Sequence, residues 1–114
     1  MAETTREKAI LAAKAADEKK AKDIVILDIS RISTVADYFV ILSVANSPQM
    51  QAVIDNIEDR MIKAGYGSCR REGDSRNPWV LLDYGDVVVH LFREEERNFY
   101  NLERLWGDAE RITL

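Results

Sequence analysis

Cysteine is almost missing from this chain: Cys69 is the only one in 114 residues. No internal disulfide can form, which fits a reducing, cytoplasmic setting. Histidine is equally scarce, with His90 alone, and it falls in a strand-like stretch where such a residue is more often packed or hydrogen-bonded than catalytic. A basic excess is missing too. With 16 Lys and Arg against 20 Asp and Glu the formal net charge is −4. That argues against dominant direct binding to nucleic-acid phosphate, which needs a basic footprint, and is compatible with a basic protein partner. No apolar run approaches the roughly 18 residues of a membrane span. Met1 to Glu7 lacks the basic and apolar regions of a secretory signal. There is no Gly-rich phosphate loop, HExxH, CxxC or persuasive Ser-His-Asp set. No repeat or low-complexity tract stands out, and nothing calls for a cofactor or a metal.

What remains is an ordinary globular composition, 46% hydrophobic and 32% charged, sufficient for one domain over residues 1–114. Thr4 and Glu7 match a capping box opening an alanine-rich helix to about Lys20, within an N-terminal segment 1–21. Its apolar positions are mostly small, so a peripheral helix with a solvated charged face is expected. Asp23–Ser30 and Tyr38–Val44 are near-continuous aliphatic runs and read as buried neighbouring strands, their relative direction open. Asp28 and Asp37 at the strand edges suit turn capping better than metal binding. Ser47 as N-cap and Pro48 at the first position start a second helix. Val53, Ile54, Ile57, Met61 and Ala64 form its core stripe, and Gly65 ends it. Tyr66–Arg71 suits a short edge strand, blunted by Arg70 and Arg71. Glu72–Pro78 is a loop. Arg93–Arg97 is a charged turn starting a helix. Phe99, Tyr100, Leu102, Leu105 and Trp106 suggest an aromatic lid, with Asn101 a possible break, and Asp108–Leu114 a tail.

The chain is organised around Trp79–Phe92. Two β-branched runs flank a polar centre, the signature of a β-hairpin with its turn at Tyr84-Gly85. A two-residue loop sets Asp83 opposite Asp86, Leu81 opposite Val88 and Trp79 opposite His90. Val80, Leu82, Val87, Val89 and Leu91 then share one face and are core. Trp79, Leu81, Asp83, Asp86, Val88, His90 and Phe92 share the other. Its mixture of apolar groups and carboxylates reads as a binding surface. The alternative is a helix covering that face, leaving only the aspartates in water. The patch of Trp79, Leu81, Val88 and Phe92 also suggests weak homodimerisation, opposed by the aspartates.

Gly67-Ser68 invites comparison with nucleotidyl-transferring enzymes. Those need two carboxylates one residue apart on the following strand to hold metals. Asp83 and Asp86 are at the wrong spacing and across a turn, so an enzyme, or a nucleotide-binding protein of that shape, is the weaker reading.

Three segments together resemble the ribosomal silencing factor, or Iojap-like, family: Val35–Ile41, Trp79–His90 with Phe92, and Phe99-Tyr100 followed by Leu102–Trp106. The resemblance covers about Lys22 to Ala109. A departure at Val44-Ala45, where members often carry a glycine-containing turn, leaves the end of that strand open. The resemblance implies a mixed α/β (α+β) fold: a sheet of about five strands flanked by helices, nucleotidyltransferase-like without the catalytic carboxylates. It implies a cytoplasmic, non-catalytic repressor that binds the large ribosomal subunit through its fourteenth protein. There it would block joining of the small subunit and lower translation when nutrients are short. On that basis Trp79 and Leu81 are expected as apolar anchors, Asp83 and Asp86 as partners for basic side chains, and Tyr84, Val88 and His90 as further contacts.

Overall fold

The computed structural model describes the backbone of residues 2–100, 107 and 109–112, and the side chains of residues 5–97, 107 and 109–112. The elements run α1 (Ala2–Glu18), β1 (Lys22–Asp28), β2 (Tyr38–Val44), α2 (Ser47–Lys63), β3 (Arg70–Glu72), β4 (Trp79–Asp83), β5 (Val87–Arg93), α3 (Glu94–Tyr100) and β6 (Glu110–Ile112). Six strands form a mixed sheet in the order β3-β4-β5-β2-β1-β6. At its centre β2 runs antiparallel to β1 and parallel to β5. Every residue of β2 is buried. That is why its sequence is a continuous apolar run rather than an alternation: both faces of the central strands are covered.

One face packs against α1 and α2. Its core joins Val40, Leu42, Val80, Leu82, Val89 and Leu91 of the sheet to the α2 stripe and the α1 alanines. The stripe is Met50, Val53, Ile54, Ile57 and Met61; Ala64, expected within it, is exposed. The expectation of a peripheral α1 is corrected. Ala9, Ala12, Ala13, Ala15 and Ala16 are all fully buried. Their small side chains let the α1 backbone approach both α2 and the sheet. The α1 terminus is tied to α2 by Asn56, whose Nδ2 donates to the Ala15 carbonyl at 2.7 Å and to Glu18 Oε1 at 2.8 Å. Arg60 adds an ion pair to Glu18. The helix begins before Thr4, so the Thr4-Glu7 capping box is not its start.

The cap of α2 is also corrected by one residue. Asn46 Oδ1 accepts from the Gln49 N–H at 2.8 Å, while Ser47 Oγ accepts from Arg93 at 2.9 Å. The C-terminal glycine holds, with Gly65 at φ 89°. Asp28 caps a turn, its Oδ1 accepting from the Ser30 N–H at 3.0 Å. The expected tail contains a strand, β6, which pairs antiparallel with β1. Three residues with no alternating apolar pattern left no signal for it. The lid expected of Phe99, Tyr100, Leu102, Leu105 and Trp106 falls outside the described side chains.

Candidate protein-docking face

The second sheet face is built by the β4–β5 hairpin, with β2 and β1 beside it in the same sheet. The hairpin register differs from the expected one by two residues: Asp83 opposes Val88, Leu81 opposes His90 and Trp79 opposes Phe92. The turn lies at Gly85-Asp86, closed by the Tyr84 N–H donating to the Val87 carbonyl at 2.9 Å. Gly85, at φ 88°, occupies the first central position, where a tight hairpin turn favours glycine. Asp83 Oδ1 accepts from the Gly85 N–H at 2.7 Å and fixes that choice. An even shift keeps every strand residue on its face, so Trp79, Leu81, Asp83, Val88, His90 and Phe92 still stand together.

Asp86 and Tyr84 do not join them. Asp86 turns to the helix side, where its carboxylate accepts from Lys8 Nζ at 2.7 Å and from Thr5 Oγ1 at 3.2 Å. Burial pushes its pKa up, but the Lys8 ammonium and the Thr5 hydroxyl outweigh this and hold it below the usual carboxylate value. The Tyr84 ring packs on the helix-side core, under the same Lys8 ammonium at 5.5 Å. Lys8 is the residue that sequence reasoning missed. It sits in a helix whose other charges alternate like a solvated face, yet its side chain is only 12% exposed.

The face is neither bare nor roofed by α1 or α2. Val88, His90 and Phe92 are buried in a second cluster with Leu27, Ile29, Phe39 and Ile41, and Trp79 and Leu81 pack on it half-buried. The expected apolar patch therefore narrows, because Phe92 is 0% and Val88 5% exposed. The Trp79 ring stacks on Phe92 at 5.1 Å, and His90 meets Phe39 edge-on at 4.5 Å. Trp79 Nε1–H donates to His90 Nδ1 at 3.2 Å. Burial depresses the His90 pKa to about 4, against the opposing effect of Asp83, so the ring is neutral at physiological pH.

A pocket of about 220 Å³ opens beside this ring. Val35, Phe39, Leu81, Val88 and His90 wall it, with the carboxyl-bearing Asp83 and Glu72 as its acidic members. Val35 is 70% exposed, a β-branched side chain held out in the β1–β2 connector. Leu81 also lines a neighbouring depression of about 330 Å³ with Trp79, Glu72, Gly73 and Asn77. Asp83 and Asp86, the only carboxylates offered for metal-dependent transfer, diverge to opposite sides of the sheet. Among the described residues no cluster of three metal-ligating side chains forms, and no helix is long and apolar enough to cross a membrane. The half-open strip thus offers apolar contacts, the carboxyl-bearing Asp83 and Glu72, and a small pocket.

A family model described as ribosomal silencing factor during starvation matches residues 2–114. The chain belongs to the ribosomal silencing factor family. It is 49% identical over 99 residues to the ribosomal silencing factor of Bacillus subtilis, covering 87% of this chain and 84% of that one. It is 41% identical over 107 residues to the chloroplastic Iojap protein of Zea mays, covering 93% of this chain and 46% of that longer one. Among solved structures it resembles a Chromobacterium violaceum protein with a TM-score of 0.85 and 30% identity, over 96% of this chain and 90% of the other. A Bacillus halodurans protein matches with a TM-score of 0.81 and 38% identity, over 96% and 99%. The silencing-factor fold thus carries the mixed sheet found here.

Proposed function

We propose that this chain is a non-catalytic, cytoplasmic repressor of translation. It binds the large ribosomal subunit through its fourteenth protein and sterically prevents the small subunit from joining when nutrients are limiting. The observation that carries the reading is the half-open strip of Trp79, Leu81 and Asp83 beside the Val35-Val88-His90 pocket, in a chain of this family. Trp79 and Leu81 are the apolar anchors, aromatic and aliphatic groups that a partner can desolvate fully. Asp83 faces a basic side chain of the partner, and Val88 and His90 form the pocket wall. Asp86 and Tyr84 belong to the hairpin's attachment to α1 and are not contacts.

The test is sedimentation of the protein with isolated large subunits, followed by addition of small subunits. Stoichiometric binding that lowers the yield of joined ribosomes is expected. Absence of binding overturns the reading, and saturable nucleotide binding dependent on Asp83 and Asp86 would favour the enzyme-like alternative.

A further inference from the structure

We infer that the pocket beside the hairpin is a socket for one lysine or arginine side chain of the docked protein, with Val35 and Leu81 gripping its aliphatic stem and Asp83 and Glu72 receiving its charged head. The inference rests on the docking reading above and deepens it. It adds Val35 and Glu72, both from outside the hairpin, to the contact surface.

The socket draws on four segments of the chain. Leu81 and Asp83 come from β4, Val88 and His90 from β5, Glu72 from β3 and Val35 from the β1–β2 connector. In the β3–β4 pairing Glu72 stands opposite Leu81, so Glu72 and Asp83 are diagonal neighbours on one sheet face. Val35 is 70% exposed. A lone exposed valine is ordinary, but this one lines a pocket and its backbone is tied down. The Ile29 N–H donates to the Asp37 carbonyl at 2.9 Å, and the Ser33 N–H to the Ile29 carbonyl at 2.9 Å. The Val35 N–H donates to Ser33 Oγ at 3.0 Å. Ile29, at the start of the connector, is fully buried. The valine is therefore presented in a fixed place, so that contact with it costs little further ordering.

Size and chemistry select the occupant. At about 220 Å³ the pocket is smaller than the roughly 300 Å³ at which small-molecule sites begin, so it suits a single side chain. An anionic side chain would meet two carboxylates. A purely apolar one would fill the walls but strip water from Asp83 and Glu72 without replacing it. Lysine and arginine satisfy both ends, because they bury their stems on apolar surface and keep the charge at the rim. Asp83 can receive that charge: its one hydrogen bond, from the Gly85 N–H at 2.7 Å, leaves further lone pairs. Glu72 meets Arg70 at 3.8 Å in an exposed pair, weak enough to be exchanged for a partner's cation. The neutral His90 ring brings no positive charge to oppose it.

The experiment measures dissociation of the parent and of Val35→Lys and Val35→Glu from isolated large subunits by biolayer interferometry. Val35→Lys should leave at least about tenfold faster, because its own ammonium competes for Asp83 and Glu72 and repels the incoming cation. Val35→Glu removes the same wall but keeps the sign of the socket, and should stay within about threefold of the parent. Ile62, 57% exposed on α2 in the helix layer, takes the same two substitutions as a control for long-range charge, and both should dissociate like the parent. Both positions are exposed, so none of the four changes touches the core. Equal dissociation of Val35→Lys and Val35→Glu overturns the inference and leaves the docking reading standing. So does an effect of Ile62→Lys as large as that of Val35→Lys. Failure of the parent to bind overturns both. A double-mutant cycle then tests for one shared side chain. Val35→Ala combined with Glu72→Gln should weaken binding by less than the product of the two single factors, since both touch the same occupant. A double variant equal to that product overturns the single occupant.

Discussion

Acidification should destabilise this protein in a window set by one side chain. His90 is the only histidine, and its imidazole is held neutral by burial, with a folded pKa of about 4. In the unfolded chain the same ring takes a proton at about 6.5. Between those values the unfolded state binds more protons, so stability rises with pH. The contribution is full above about pH 6.5 and is lost as pH falls toward 4. Each pH unit inside the window removes about 1.4 kcal/mol, so lowering the pH from about 7.5 to about 5 should cost about 2 kcal/mol from this group alone. That is a large share of an ordinary domain's stability. Unfolding midpoints in urea at several pH values measure it, because the loss appears as a lower midpoint at constant slope. Carboxylates titrate mostly below this window, with unfolded values near 4. His90→Gln and His90→Phe should each flatten the dependence between about pH 5 and 6.5, whatever they do to stability at neutrality. A parent and variants with parallel pH profiles would show that the ring is not buried as described.

Other expectations separate the two faces. Trp79→Ala should weaken large-subunit binding by about 2 kcal/mol or more while unfolding the protein less than Val87→Ala does on the fully buried face; binding assays and melts on both variants decide it. Asp83→Lys should slow association and blunt its salt dependence, read by stopped-flow at two ionic strengths. Asp86→Asn should leave binding intact and cost about 1 kcal/mol of stability, since the Lys8 pair is partly screened by solvent. The depressed Asp86 pKa puts that loss above its unfolded value, and it fades as pH falls through the folded one. Ala12→Leu should destabilise by about 1 to 3 kcal/mol through overpacking, measured by denaturant titration. Self-association through Trp79 and Leu81 should be weak, since Phe92 and Val88 are withdrawn from the patch; a tight dimer in analytical ultracentrifugation would refute that.

The central strands were legible because their burial on both faces writes a continuous aliphatic run, and β2 falls at Tyr38–Val44 as read. Parallel pairing of β2 with β5 was not legible. Nothing in an apolar run encodes direction when each edge meets another buried strand. The role of α1 was misjudged for a physical reason as well. Alanine adds little area, so a helix of alanines resembles a surface helix in composition. Yet small side chains are what permit two backbones to close on each other, and five alanines of α1 are fully buried. The strand β6 was missed because its three residues, Glu110–Ile112, bury only one edge contact with β1 and carry no period.

The site divides along the same line. Side-chain direction alternates with period two, so a register error of two residues leaves the face assignment of a strand untouched. Trp79, Leu81, Asp83, Val88 and His90 therefore share a face despite the shifted pairing. A turn residue has no such protection. Moving the turn from Tyr84-Gly85 to Gly85-Asp86 takes Asp86 out of the ladder, and the deciding partner, Lys8, lies 78 residues away. Only tertiary structure could reveal that ammonium, poised between the Asp86 carboxylate and the rings of Tyr66 and Tyr84. The consequence is a division of labour between two aspartates three positions apart. Asp86 locks the hairpin tip to α1, while Asp83 holds the turn through Gly85 and keeps its remaining acceptor capacity on the open face. The open face thus carries the Asp83 carboxylate on a tip that Asp86 and Lys8 fix to the helix layer.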